Sequence, residues 1–499
     1  MSSTLENDIF ILFPNQLFED IKLLRKYSKV YLLEEPMFFG DAKYRPFNIN
    51  KVKLAYMVAC MQSYKNHLEH QNINVEYIPY SNLIKTNGYN IFNKNNISIS
   101  TYTTYDIELD NKLKSLIKTK VININSPYFM LSNDDRDEFL VKHPKGTKHT
   151  VFYKYAKDKL KIQVLEDVKS QDKYNRENLP KSWKANFKEP NYVSSYNQKY
   201  YKFASEYVNK VFPNNIGTVD KVHIYPITFA DAKSSLDYFL KHRFSSYGKY
   251  QDAMHTDDPI LYHSLLSAPL NIGILTPSYV LQYVLNYISK NHDIHVQSYE
   301  GFIRQLIWRE YEVYIYLSMY DELIKSNHFN NTNHFRSWNA LYNGTTSIQP
   351  LDDNIKKALE YGYSHHIIRL MIFLNFFTLC EINPHDIYRW FMEVVAIDAY
   401  PWVMYSNIFT MGYANPKMMM KPYISTSSYI IKMSNYKRNA EWCAIWDALF
   451  YRFLSNKKDK FIGTAKVYLR NLSYFENKSK FEQNNIKEIA SKLILKIAK

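Results

Sequence analysis

Glycine is scarce, at 11 of 499 residues, against an average usage of about 7%. No GxGxxG or GxxxxGK[ST] loop follows any strand-like run. The two commonest phosphate-binding fingerprints are therefore missing, which argues against an ordinary dehydrogenase or P-loop enzyme. Cysteine is limited to Cys60, Cys380 and Cys443, with no CxxC pair. That excludes a disulfide framework and any four-cysteine zinc or iron–sulfur site, and it fits a reducing compartment. No HExxH pair or GxSxG elbow is present, so no metal site is expected and no nucleophile motif stands out. The strongest apolar stretch, Leu370 to Cys380, is interrupted by Asn375 and is too short to span a bilayer. The opening MSSTLENDIFILF has no basic segment followed by a long apolar one, so no signal peptide is expected. The expectation is a soluble intracellular protein.

What is present is an ordinary globular balance, 46% hydrophobic and 22% charged. Lys and Arg number 63 against 48 Asp and Glu, a net charge of +15 that suits a polyanionic partner, nucleic acid or an anionic surface. Tyr reaches 45 residues. The length predicts two unequal domains.

Residues 1–165 alternate between strand-like and helix-like segments. Asp8–Phe13, Lys29–Leu33, Asn74–Ile78 and Lys120–Ile124 read as strands, and Lys51–His70 and Ile107–Ile117 as helices. Alternating elements of this kind predict a parallel sheet with helices on its faces. Residues 166–198 turn polar and read as an interdomain connector. From 199 to 499 the period is helical: Lys199–Val211, Phe229–Arg243, Ser278–Ser289, Tyr299–Leu323, Ile355–Leu379, Pro384–Val395, Ala440–Leu454 and Ile486–Ile497. Pro277 and Pro384 sit where helices would start. The fold class expected is an α/β N-terminal domain with a parallel sheet, followed by a large all-α domain.

Several segments carry polar groups where a core would not want them. Ser264 and Ser267 precede a helix start, as a plain cap or as hydroxyls for a phosphate. The helix around Glu300–Tyr311 mixes Glu300, Arg304, Gln305, Arg309 and Glu310 into apolar surroundings. Such groups must bind one another or a polar ligand. Gln305 and Trp308 share a face and could offer an amide beside an aromatic platform, or simply belong to a salt-bridged helix. Ser364-His-His-Ile-Ile-Arg-Leu-Met371 places His365 and Arg369 on one helical face with His366 turned away, as core residues or as a site. Asp398, set among aromatics in IDAYPWV, needs a cationic partner, and Arg369 is the candidate.

Taken in order, YGKYQDAM, YHSLLSAPLNIGIL, YEGFIRQLIWREY, YSHHIIRLM, IDAYPWV and KPYISTSSYIIKMSNY resemble the FAD-binding domain of the cryptochrome/photolyase family across roughly residues 220–455. The closer resemblance is to the photolyase-related branch of bacterial iron–sulfur photolyases. It implies an antenna-like α/β domain followed by a helical domain that binds FAD and the lesion. The implied reaction is light-driven electron transfer from reduced flavin to a UV-induced pyrimidine dimer flipped out of DNA.

By the same resemblance, Tyr250, Ser264, Leu266, Ser267, Arg309, Arg369, Asp398 and Tyr400 would bind the cofactor, Arg369 and Asp398 as an ion pair beside its ring. His365, His366, Arg369 and Asp398 would serve catalysis. Gln305, Trp308 and His366 would line the lesion pocket. The His pair and Gln305 lean towards (6-4) photoproducts over cyclobutane dimers. Trp390 matches an electron-relay tryptophan, while Tyr342 and Phe391 stand where Trp and Tyr are expected.

The departures are specific. Pro350 and Lys437 occupy two positions of the branch's cluster cysteines, and the shortened loop KRNAEWCAIW keeps only Cys443, so no iron–sulfur cluster is expected. Met404 or its neighbours replace an acidic residue expected near the reactive ring nitrogen. The Gln305–Trp308 helix lacks a glycine that the bacterial branch inserts. Pro14-Asn15 replaces the usual Gly-Asp, so a second, antenna chromophore remains without an identity. The reading is a monomeric light-dependent photolyase acting on UV-damaged DNA, with no membrane partner. A cryptochrome-like blue-light receptor without repair activity is the alternative.

Overall fold

The computed structural model describes residues 8–85, 88–94, 97–144, 148–162, 198–336, 338–419, 421–438, 440–463 and 466–498, and the single residues Leu179, Trp183 and Tyr196. The expected connector, 166–198, lies outside the described residues apart from Leu179, Trp183, Tyr196 and position 198. Among the described residues no helix is long and apolar enough to cross a membrane.

Strands β1 (Asp8–Leu12), β2 (Lys29–Leu33), β3 (Val75–Ile78), β4 (Ser98–Tyr102) and β5 (Val121–Ile124) form one parallel sheet in the order β3-β2-β1-β4-β5. Phe10 of central β1 stands opposite Val30 on one side and Ser100 on the other. Strand β4, SISTY, was not expected: its polar residues hide the strand pattern. Flanked by β1 and β5, Ser100 and Thr101 are buried all the same. The order of the strands reverses between β1 and β4, the switch point where open α/β sheets usually receive ligands. Here Gln16 bridges the two strand ends, accepting the Phe13 N–H at 3.2 Å and donating to the Tyr102 carbonyl at 2.9 Å.

Helix α1 (Lys51–His70) begins at Asn50, whose side chain accepts the Val52 N–H at 2.9 Å. The same amide donates to the carbonyls of Ala358 (3.1 Å) and Val394 (3.4 Å), which ties the sheet region to the helical one. Helix α2 (Ile107–Leu116) crosses from β4 to β5, and α3 (Asn133–Lys142) and α4 (His149–Lys159) follow. The helical part supplies α5 (Ser267–Ile272), α6 (Val296–Leu323), α7 (Gln349–Tyr361), α8 (Pro384–Val394) and α9 (Pro401–Ser406). Other helices surround these, including Gln198–Val211, Pro277–Lys290, Ala440–Asn456 and Lys480–Ile497.

One expected helix is corrected. Ile355–Leu379 is not continuous, because α7 ends at Gly362, which adopts a left-handed φ of 62°. A Cβ there would meet Val52 of α1 at 2.8 Å, so close approach of α1 as well as backbone conformation demands glycine. The chain restarts at His366, with His365 outside the helix as its cap, and then widens into π-type turns over Arg369–Leu374. His365 thus stands outside the helix, but the Arg369 N–H donates to its carbonyl at 3.2 Å, one turn on, and both side chains line the cavity. Asn407–Met411 forms a second π-type stretch. Both stretches line the same cavity, consistent with the tendency of π turns to sit at functional sites.

Candidate functional site

A cavity of about 310 Å³ opens among α5, α6, α9 and the segment 363–371. Ser264, Leu266, Ser267, Gln305, Trp308, Arg309, His365, His366, Arg369 and Asp398 all form part of its wall. Residues separated by more than a hundred positions converge here because long α6 runs along one side and the broken 363–371 segment faces it.

Arg369 and Asp398 meet with Nη1 and Oδ2 3.7 Å apart, an ion pair beyond hydrogen-bond reach. Arg369 Nε, Asp398 Oδ1, Trp402 Nε1 and His365 Nδ1 are buried in this wall with no hydrogen-bond partner among the described residues. Buried polar groups are seldom left so, and a cluster of donors with an acceptor around one cavity suits a polar, flat ligand.

Arg309 is held differently. It donates through Nη1 to the Tyr128 carbonyl at 2.6 Å and lies 4.4–4.8 Å from the ring centres of Tyr128, Phe129 and Trp402. Burial lowers its pKa, although it stays a cation. Next to it on α6, Glu310 is fully buried on the sheet side. Its carboxylate accepts the Met130 and Leu131 N–H groups at 2.9 and 3.1 Å and pairs with Arg136 at 3.4 Å. The motif's charges are thus shared out, Arg309 and Glu310 clamping the 128–131 backbone to the cavity wall.

The two histidines differ. His365 is buried and stacked on His263, 4.5 Å between ring centres. Burial, then the positive neighbours His263, Arg369 and His366, push its pKa well below the usual histidine range, so the ring is neutral near pH 7. His366 is less buried and reaches the cavity from the first turn of its helix. Ser264 Oγ accepts the Leu266 N–H at 3.3 Å, and Leu265 between them has a left-handed φ of 59°, a strained loop on the wall.

Trp308 has a partner that no local pattern indicates. His149, at the start of α4, stacks on it with ring centres 3.8 Å apart and planes 6° from parallel. Both imidazole nitrogens are buried without a hydrogen-bond partner among the described residues. Burial holds this ring neutral too. Glu312 is another wall residue outside the sequence expectations, although its place in WREYEVY, a second acid in an apolar helix, was a usable signal.

Four expected residues lie off the wall. Tyr250 stacks on Tyr262 at 4.7 Å, in a small cluster with Ala253 and Leu261. Tyr400 lies under Lys53, whose ammonium is 4.2 Å from the ring centre and donates to the Ala399 carbonyl at 2.5 Å. Trp390 is fully buried between Phe373 and Phe377, each 4.9 Å away, and donates to the Leu341 carbonyl at 3.3 Å. Tyr342 donates to the buried Glu393 carboxylate and lies 5.5 Å from Trp338. Met404 is wholly buried in α9, while its neighbour Val403 reaches the cavity.

Residues 10–224 match the family described as deoxyribodipyrimidine photo-lyase-related protein. A (6-4) photolyase of Agrobacterium fabrum is 35% identical over 266 residues, 51% of this chain and 51% of that protein, so the match spans about half of the relative's length. In fold, a bacterial class III photolyase from Agrobacterium tumefaciens agrees with a TM-score of 0.54 over 98% of both chains, at 13% identity. An archaeal photolyase from Sulfolobus tokodaii, solved with two FAD molecules, agrees at 0.50 over 97% of this chain and 100% of its own, at 12% identity. Residues 10–224 thus match the photolyase-related family, and the chain shares the photolyase fold along nearly its whole length.

Proposed function

We propose that the chain is a light-dependent DNA-repair photolyase that binds FAD in the 310 Å³ cavity and acts on UV-induced pyrimidine dimers, the (6-4) photoproduct in preference to the cyclobutane dimer. One observation carries the reading: a single cavity gathers the loosely closed Arg369–Asp398 pair, unpaired donors and an acceptor, and the Gln305, Trp308 and His366 side chains.

The wall fits a flavin. Its ring system is flat and carries both hydrogen-bond acceptors and an N–H, and the wall offers Arg369 Nε and Trp402 Nε1 as donors with Asp398 Oδ1 as acceptor. When bound and reduced, FAD supplies the light-driven electron for dimer splitting.

The chain's own residues position and protonate. Arg369 and Asp398 orient the ring, and Ser264 and Ser267 take the phosphate end. Leu265, Leu370, Met371 and Val403 exclude water, which strengthens every charge interaction inside. Gln305 offers its amide to the extruded base pair, and Trp308, kept flat by His149, offers a stacking face. His366, which reaches the cavity, is the residue assigned to the proton transfer that the migrated group requires, since burial keeps His365 neutral near pH 7. The net charge of +15 attracts the DNA backbone.

The test is a blue-light assay on two oligonucleotides, one with a (6-4) photoproduct and one with a cyclobutane dimer. Light-dependent restoration of the first supports the proposal. Restoration of the second alone corrects the lesion class, and failure of flavin-loaded, reduced protein on both points to the blue-light receptor instead.

A further inference from the structure

Glu312 sits on α6, almost one turn beyond Arg309, and forms part of the cavity wall. The residue is half-buried and lines the cavity. Its Oε1 accepts Asn407 Nδ2–H at 2.7 Å, and the same amide donates to the Val403 carbonyl at 2.8 Å, which fixes its direction. Oε2 has no hydrogen-bond partner among the described residues, and no cation there comes within 4.0 Å of the carboxylate.

The charged groups that face Glu312 are Arg309 from its own helix, Arg369 from the π-type segment, and Asp398. Burial raises its pKa most, Arg369, the Asn407 bond and Arg309 pull it down, and Asp398 adds a smaller upward push, which leaves it at about 8. Near pH 7 the side chain is mostly a neutral carboxylic acid. Helix α9, packed against α6, presents Met404 in its interior, a side chain with no proton to give.

We propose that Glu312 is the proton donor of this cavity: its carboxylic acid gives up its proton to the ring system seated beside Arg369 and Asp398 when that ring gains an electron, and takes it back when the electron leaves. The electron comes from an added thiol or dithionite reductant. The Glu312 O–H bond breaks, an N–H bond forms on the ring, and the remaining carboxylate is stabilised by Arg369, Arg309 and the Asn407 N–H. The inference rests on the flavin reading above.

The experiment compares flavin-loaded wild type with Glu312→Gln, which keeps the shape and the Asn407 contact but has no acidic proton. Reduced-minus-oxidised infrared spectra of wild type below pH 8 should lose a protonated-carboxyl C=O band that shifts down in D2O. The Gln variant should show no such loss, and its ring should take up a proton at least about tenfold more slowly after photoreduction, an effect of the size expected from general acid catalysis. An unchanged wild-type carboxyl region overturns the proposal without recourse to any variant. Equal band loss and equal proton uptake in the two proteins also overturn it. Protein that binds no flavin overturns the flavin reading itself.

Discussion

Glu310 offers a stability test worked from its contacts. It is fully buried, accepts two backbone N–H groups at 2.9 and 3.1 Å and pairs with Arg136, itself only 4% exposed. Glu310→Ala leaves two buried donors and a guanidinium without their acceptor. An orphaned buried donor costs about 1–3 kcal/mol, and breaking a buried ion pair from one side costs about 3–5 kcal/mol. These overlap, because the same carboxylate serves all three, so the expected loss is about 4–6 kcal/mol. At about 2.1 cal/mol/K per residue, the unfolding entropy of a chain this size is about 1 kcal/mol/K, so the same loss lowers the melting temperature by about 4–6 °C. Urea unfolding at pH 7, followed by circular dichroism, reads the difference. Glu310→Gln keeps one acceptor but turns an NH2 towards the remaining donors, and should fall about midway. In an Arg136→Ala background the cost of Glu310→Ala should drop by at least about 1 kcal/mol. A loss under about 1 kcal/mol for Glu310→Ala would refute the reasoning, since it would mean that the freed donors reach water.

Other perturbations have equally definite outcomes. Glu312 is raised from 4.5 to about 8 in the fold, so it favours the folded state below the unfolded carboxyl's pKa and loses that contribution as pH rises towards 8. At about 1.4 kcal/mol per pH unit the penalty is at most about 5 kcal/mol, less for a half-buried group; wild type minus Glu312→Gln stability should fall across this window, and a flat difference would show that water reaches the carboxyl freely. Gly362→Ala should cost about 2–4 kcal/mol in urea unfolding, from the left-handed φ and the collision with Val52 at 2.8 Å; a loss below about 0.5 kcal/mol would show that α1 can move aside. His366→Ala should abolish (6-4) repair while FAD stays bound, and undiminished repair would remove the assigned acid. A ferrozine assay on pure protein should read near zero, because three scattered buried cysteines cannot ligate a four-iron cluster; about four irons per chain would overturn this.

The sequence showed the architecture where hydrophobic period and β-branching were strong, as in β1, β2 and α1. It concealed β4, whose Ser98, Ser100 and Thr101 are polar, because burial there comes from neighbouring strands rather than from side-chain type. The break at Gly362 was also hidden. The apolar period continues through it, and the reason for glycine is Val52, a residue 310 positions away. The site was legible where its residues share a segment or carry an obvious electrostatic debt, as Asp398 does beside Arg369. Partnerships across segments, His149 with Trp308 and Glu312 with Asn407, leave no local trace in the chain.

The His149–Trp308 stack bears on how such a chain can change over time. The ring on which Trp308 stacks is carried by α4, shortly after the sheet, and not by the helices that build the rest of the wall. The N-terminal region is therefore not an interchangeable accessory. A chimera that grafts another protein's first 160 or so residues onto these helices would keep Trp308 yet remove the surface it rests against. Substitutions at position 149 and on α6 are expected to be inherited together, and shuffling between relatives should succeed only where the crossover preserves both rings.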